Sequence, residues 1–275
     1  MRIGNATVAF ITGGAAGIGF AIAKALAARG AKIMLADMDQ GKLGQAVAEL
    51  TAAGSDAASI LCNVADEAQM RSAAKATIQK FGKVHIVINN AGVALGGSPG
   101  QIAMKDWRWI VDINLMGVVH GVEIFAPLIQ SHGEGGHFVN VASMAGHVAG
   151  PGMAPYNATK FAVVGYSEAL RPEFAEHHIG VSVLCPAWVK TDIHRSALSK
   201  PSGDGGQDDP MFKNMEAVIE AGIDADDVAE WTLRCVEDDR FYIFTHPAFA
   251  PFIDKRHEQI QADYAAASEY PPFKP

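Results

Sequence analysis

Thr12-Gly13-Gly14-Ala15-Ala16-Gly17-Ile18-Gly19 decides the fold of this 275-residue chain. The stretch follows a short β-prone apolar run, Ala6–Ile11, and precedes a helical pattern from about Ile18 to Arg29. Strand, glycine-rich turn and helix in that order open a βαβ unit. Bare backbone can turn tightly there and approach a pyrophosphate, while the helix N-terminus stabilises the anion. The spacing is neither G-x-G-x-x-G nor a P-loop, because Phe20 stands where a P-loop needs lysine. Glycines alone leave an ordinary tight turn as the competing reading. Position at the first turn of a βαβ unit favours the nucleotide.

Outward from that turn, short strands alternate with helical patterns. Gly30 closes the first helix in the position past the C-cap that favours glycine. Ala31–Ala36 reads as a strand, Lys42–Ala53 as a helix ended by Gly54, Ala58–Cys62 as a third strand, then a helix from Glu67 to Phe81 and the strand Val84–Ile88. These strands are apolar on both faces, as a parallel sheet covered on both sides requires. A helix around Asn114–Gln130, the strand His137–Val141, a helix opened by Pro155 and the strand Val181–Cys185 continue the rhythm, and Tyr242–Pro247 reads as a last strand. The expected fold class is α/β: a single Rossmann-like doubly wound domain, its mainly parallel seven-stranded sheet flanked by helices with right-handed crossovers. Ser199–Asp209, rich in Ser, Gly, Asp and Pro, interrupts the pattern; with Met211, Phe212 and Met215 after it, it reads as a flap with an apolar underside.

Composition narrows the function. Hydrophobic residues make up 49% and charged residues 19%, which suits a packed core. The net charge of -8 and the lack of a basic stripe argue against nucleic acid as a partner. Three scattered cysteines without a C-x-x-C pair suit a reducing cytoplasm, with Cys62 and Cys185 as buried thiols. The N-terminal apolar stretch is too short for a signal peptide, and no apolar run is expected to span a membrane. Ten histidines show no H-E-x-x-H or paired-ligand spacing, so no metal is expected.

Two further features carry chemistry. Asp37 ends the second strand 18 residues after Gly19, where a carboxylate accepts ribose hydroxyls and repels a 2′-phosphate; this favours NAD over NADP. Tyr156 and Lys160, four residues apart, share one helix face. Alone, that pair is as consistent with packing as with catalysis. Ser143, just past the fifth strand, lies at the carboxyl edge where such folds place ligands.

Together these residues resemble the classical short-chain dehydrogenase/reductase family over nearly the whole chain. The resemblance rests on Thr12-Gly13-x-x-x-Gly17-x-Gly19, on Asn89-Asn90-Ala91-Gly92, and on Asn114, Ser143, Tyr156 and Lys160 in order. It implies one NAD-binding domain over 1–275, with a substrate lid at about 191–224 and a C-terminal extension at about 246–275. It implies catalysis by Asn114, Ser143, Tyr156 and Lys160, with Tyr156 as acid–base, Ser143 holding the substrate oxygen, and Asn114 holding a relay water. The NAD-binding set it implies is Thr12, Gly13, Gly17, Ile18, Gly19, Asp37, Asn63, Val64, Asn90, Ala91, Gly92, Tyr156, Lys160, Pro186, Val189 and Thr191. A nearby ammonium and an oxidised nicotinamide would lower the Tyr156 pKa. Ser143, Tyr156, Trp188 and His147 are the candidate substrate contacts. The chain departs from the family pattern at Asn63, usually aspartate, and at Ala187-Trp188, usually opening with glycine.

The function these features imply is interconversion of a secondary alcohol and a ketone, on a bulky hydrophobic or aromatic small molecule, by a homotetramer or homodimer. An NADPH-dependent carbonyl or 3-oxoacyl reductase and a non-catalytic dinucleotide sensor are the alternatives. Asp37 opposes the first, and the retained Tyr156 and Lys160 oppose the second.

Overall fold

A computed structural model describes residues 1–203 and 210–273. Seven strands, β1 (Val8–Thr12), β2 (Lys32–Asp37), β3 (Ala57–Leu61), β4 (Ile86–Asn89), β5 (Gly136–Val141), β6 (Ile179–Cys185) and β7 (Tyr242–Phe244), form one sheet in the order β3-β2-β1-β4-β5-β6-β7. Every pairing is parallel. The helices are α1 (Gly17–Ala28), α2 (Gln40–Ala52), α3 (Glu67–Phe81), α4 (Met104–Val111), α5 (Gly117–His132), α6 (Ala154–Ala175), α7 (Pro210–Glu220), α8 (Ala225–Glu237) and α9 (Ala250–Ser268). The doubly wound α/β fold is as expected, and the sheet is wholly parallel.

The strand order explains where a ligand goes. The chain runs outward from β1 through β2 to β3, then restarts at β4 on the other side of β1. Loops after β1 and β4 therefore diverge and leave a crevice at the carboxyl ends. Two cores sandwich the sheet. On one face Ile11, Ile33, Leu35 and Ile88 pack against Ile22 and Leu26 of α1 and Leu233 of α8. On the other, Phe10, Val87 and Phe138 meet Phe125 and Ile129 of α5, and Phe10 stacks on Phe125 with ring centroids 4.3 Å apart.

Several expectations need correction. β3 is not buried on both faces: it is an edge strand, half-buried along its length and exposed at Leu61. A 3₁₀ stretch (Ile193–Ser199) and α7, neither of them expected, flank the flap read at Ser199–Asp209. Residues 204–209 of the flap, and the side chains of Met211 and Phe212, lie outside the described residues. The helical span expected around Asn114–Gln130 begins earlier, because α4, a five-residue π-helical turn (Asp112–Met116) and α5 run on continuously. By length and composition this span, Met104–His132, could cross a membrane, contrary to the expectation of no such run; half of its most apolar window is buried inside the fold. The apolarity serves the core.

Candidate active site

The glycine turn is held from three sides. Gly13 has φ +59°, and a Cβ there would meet Asn90 Nδ2 at 2.8 Å and Ala91 Cα at 2.9 Å. Only glycine combines that conformation with that approach. Asn90 Nδ2 donates to the carbonyls of Thr12 and Gly13, while Thr12 Oγ1 accepts from the amides of Asn90 and Ala91. A Cβ on Gly19 would collide with the Gly13 carbonyl oxygen and Asn90 Nδ2. The β1 and β4 loops thus lock each other. Ile18 packs into the core beneath the turn. No side chain caps α1, whose first-turn amides face the crevice entrance without an intramolecular carboxylate or hydroxyl.

Asp37 closes the third side. Its Oδ2 accepts from the Ala15 amide at 3.1 Å and its Oδ1 from the Asp39 amide at 3.1 Å. A carboxylate offers about four lone-pair sites, so it can tie down the turn and still accept ribose hydroxyls. Asn63 spends its Oδ1 on the Ala65 amide, which caps the turn before α3. Val64 is buried against Gly117, and its carbonyl meets His120 Nδ1.

The second cluster gathers at the ends of β5 and β6. Ser143 Oγ donates to the Pro186 carbonyl at 3.2 Å and accepts from the Ala145 amide, and it lies close enough to the Tyr156 hydroxyl to oppose the rise in that group's pKa. Lys160, 3% exposed, donates from Nζ to the Val141 carbonyl at 2.9 Å and lies 5.6 Å from the centroid of the Tyr156 ring. Burial drives the Lys160 ammonium down to about 8. Burial raises the Tyr156 pKa, opposed by neighbouring Ser143; the lowering expected with an oxidised nicotinamide requires that positive charge beside the phenol.

Gly92 forms the floor between the two clusters. A Cβ there would lie 3.4 Å from Asn114 Oδ1 and 3.6 Å from Lys160 Nζ, so bare backbone keeps that space open. Asn114 is buried in the π-helical turn, a distortion that places side chains at functional sites. Its Oδ1 accepts from the Val93 amide, and its Nδ2 donates to the Val93 carbonyl and to Thr159 Oγ1. Both amide protons are used to position the β4–α4 loop, while Oδ1 keeps one lone pair beyond the Val93 amide.

The residues after Pro186 form a cover. Val189 bridges to Ile223, and Thr191 Cγ2 lies 3.1 Å from the Cβ position of Gly17. A cavity of about 420 Å³ opens here, lined among others by Gly17, Lys190, Thr191, Asp192 and Arg195. The Ala94 amide donates to Ser196 Oγ, Lys105 Nζ to the Pro201 carbonyl, and the Ser202 amide to buried Asp106. These ties were not legible beforehand: in each, one partner is a backbone group from a distant loop. Trp188 is 43% exposed, and its carbonyl accepts from the Ile223 amide. His147 is half-buried, its Nε2 3.3 Å from Cys185 Sγ and its ring in T-shaped contact with Tyr242 and Phe244.

Among the described residues, His85, His132 and Glu134 cluster tightly enough to suggest a metal site, at the opposite end of the sheet. Their hydrogen bonds oppose it. His85 Nδ1 accepts from the Val8 amide and His132 Nδ1 from the Glu134 amide, so each Nε2 carries the proton, donating to Glu134 and to the Val84 carbonyl respectively. No free imidazole lone pair is left for a cation. Lys83 already pairs with Glu134.

A family model described as short chain dehydrogenase matches residues 7–202. A CLA biosynthesis dehydrogenase/reductase of Lactiplantibacillus plantarum is 34% identical over 269 residues, covering 94% of each chain. A C alpha-dehydrogenase of Sphingobium sp. is 33% identical over 270 residues, covering 96% of this chain and 88% of its own. Among solved structures, a short chain dehydrogenase/reductase from Burkholderia phymatum in complex with NAD superposes with a TM-score of 0.91 at 38% identity, over 96% of this chain and 97% of the other.

Proposed function

The chain belongs to the short-chain dehydrogenase/reductase family, and from that premise we propose that it is an NAD-dependent enzyme interconverting a secondary alcohol and a ketone, with Tyr156 as acid–base. The observation that carries the reading is the gathering of Ser143, Tyr156 and buried Lys160, its Nζ 5.6 Å from the Tyr156 ring centroid, beside the glycine-lined crevice. The crevice fits a dinucleotide. Bare backbone at Gly13, Gly17, Gly19 and Gly92, an uncapped α1 and an anchored Asp37 offer amides to a pyrophosphate and a carboxylate to a ribose. Thr12, Ile18, Asn63, Val64, Asn90, Ala91, Pro186, Val189 and Thr191 would frame it, and Tyr156 and Lys160 would border its nicotinamide end. The cofactor, when bound, supplies the hydride chemistry.

Ser143 holds the substrate oxygen and stabilises charge building on it. Tyr156 gives its proton to that oxygen as a ketone is reduced, or takes it as an alcohol is oxidised. Because burial keeps the phenol protonated, the resting side chain is set for donation. Deprotonation for alcohol oxidation is favoured by the Lys160 ammonium, which in turn needs a pH near or below about 8. Asn114 holds the loop that bounds the crevice. Segment 191–224 acts as the substrate lid, with Trp188 at its root favouring a bulky hydrophobic or aromatic alcohol. His147, packed on Cys185 and β7, supports that wall from behind. The enzyme works in the cytoplasm as a homotetramer or homodimer.

A panel of secondary alcohols, aryl, steroid and sugar-derived, offered with NAD or NADP tests this reading by the appearance of reduced nicotinamide. NAD reduction on a bulky apolar alcohol is expected. Equal or faster use of NADP would overturn the role given to Asp37.

A further inference from the structure

The C-terminal helix is anchored at one end only. Ile253 packs with Phe249 against the core around Met144, Val163 and Cys185, and Arg256 stacks over Phe161 with 5.2 Å to the ring centroid. The described residues of α9 are otherwise exposed, apart from half-buried Ile260. Ile253, Arg256, Ile260, Tyr264 and Ala267 are spaced to fall on one helix face. The face that grips the chain's own body therefore continues past it into solvent, where Tyr264 is 72% exposed. Tyr270 and Phe273 follow, 56% and 67% exposed, with rings 5.1 Å apart.

In proteins most helical stability comes from packing one face of the helix, and the outer half of α9 packs on nothing within its own chain except at half-buried Ile260. An aromatic side chain buries about 150–250 Å² when covered, so Tyr264, Tyr270 and Phe273 offer roughly 300–500 Å² per arm. Matched by an equal area on the surface beneath, and doubled by a two-fold axis, that gives about 1,200–2,000 Å², the size of a stable interface.

We propose that α9 is an intersubunit arm, rooted on its own α6 and docking its outer half, Ile260 to Phe273, on a second copy of this chain. The surface beneath it must continue the level of the chain's own α6 face, since one face of a nearly straight helix serves both. A second copy lying against that face in a two-fold pair meets this condition, and each copy then receives the other's arm.

Two measurements test the arm, both independent of cofactor and turnover. In sedimentation velocity, the full chain is expected as a dimer or larger, and Ile260→Asp/Tyr264→Asp is expected to lower the mass at least two-fold. A monomeric wild-type chain, or a variant of unchanged mass, would overturn the proposal. Should the variant misfold, a photoreactive benzoylphenylalanine at position 264 keeps the test open: a cross-link to a second copy supports the arm. Cross-links only within one chain, or none, contradict it.

Discussion

The two halves of the site are built differently. On the nucleotide side, Thr12, Gly13, Asn90 and Asp37 interlock through hydrogen bonds that join β1, β2 and β4, and little there could move without breaking several at once. On the substrate side the described ties of the cover include single hydrogen bonds between separate segments, Ala94 to Ser196, Lys105 to Pro201 and Ser202 to Asp106. The difference suits a shared cofactor bound to a fixed cradle and an individual substrate admitted by a cover that opens. Low local stability is what an opening element requires.

Substitutions can break or sharpen this contrast. Ser143→Ala should show the largest effect, a fall in kcat of about 10²–10³-fold from losing an oxyanion donor, with NAD affinity unchanged by calorimetry. Comparable loss of NAD affinity would mean that the two halves are not separate. Asp37→Ala should weaken NAD binding by roughly ten-fold, the loss of one charge-assisted hydrogen bond. It should also narrow the gap to NADP. Because Asp37 also ties down the Ala15 amide, NADP binding should not improve in absolute terms; a large gain would show that the carboxylate acts by repulsion alone. Lys105→Ala with Ser196→Ala should raise substrate KM about two- to five-fold, the scale of a single net hydrogen bond, and leave the cofactor KM alone. The reverse pattern would contradict the cover.

A smaller effect concerns stability. The folded-state pKa of Lys160 is depressed from 10.5 to about 8, so the native protein resists protonation there. The burden of a buried ammonium is absent above pH 10.5, grows as pH falls, and is complete below about 8. Lys160→Met should therefore raise the melting temperature of the cofactor-free protein most at or below neutral pH, with the gain shrinking as pH climbs from 8 towards 10. A pH-independent difference would remove the burial argument.

How much was legible in the sequence follows from the range of each determinant. Strands buried on both faces announce themselves as apolar runs, and the glycine turn, Asp37 and the Tyr156–Lys160 spacing are local patterns, so the sheet and the nucleotide side could be read directly. β3 misled because an edge strand made of Ala57-Ala58-Ser59-Ile60-Leu61 has a buried composition without a second neighbour. α4 escaped because no side chain caps it. The π-helical turn at Asn114 is set by bonds to Val93 and Thr159 that no local pattern records. The upward pull of burial on Tyr156 was not legible because desolvation depends on what packs around the hydroxyl, whereas the lysine four residues away is visible in the sequence.

Tyr156→Phe tests the central claim most directly, with NAD binding by calorimetry and NAD reduction on the best alcohol of the panel measured side by side with wild type. The account predicts near-normal NAD affinity and turnover reduced by about 10²–10⁴-fold, the usual contribution of a positioned acid–base group. Retained turnover with a wild-type pH profile would contradict it, because the proton would then be moving through a group other than Tyr156.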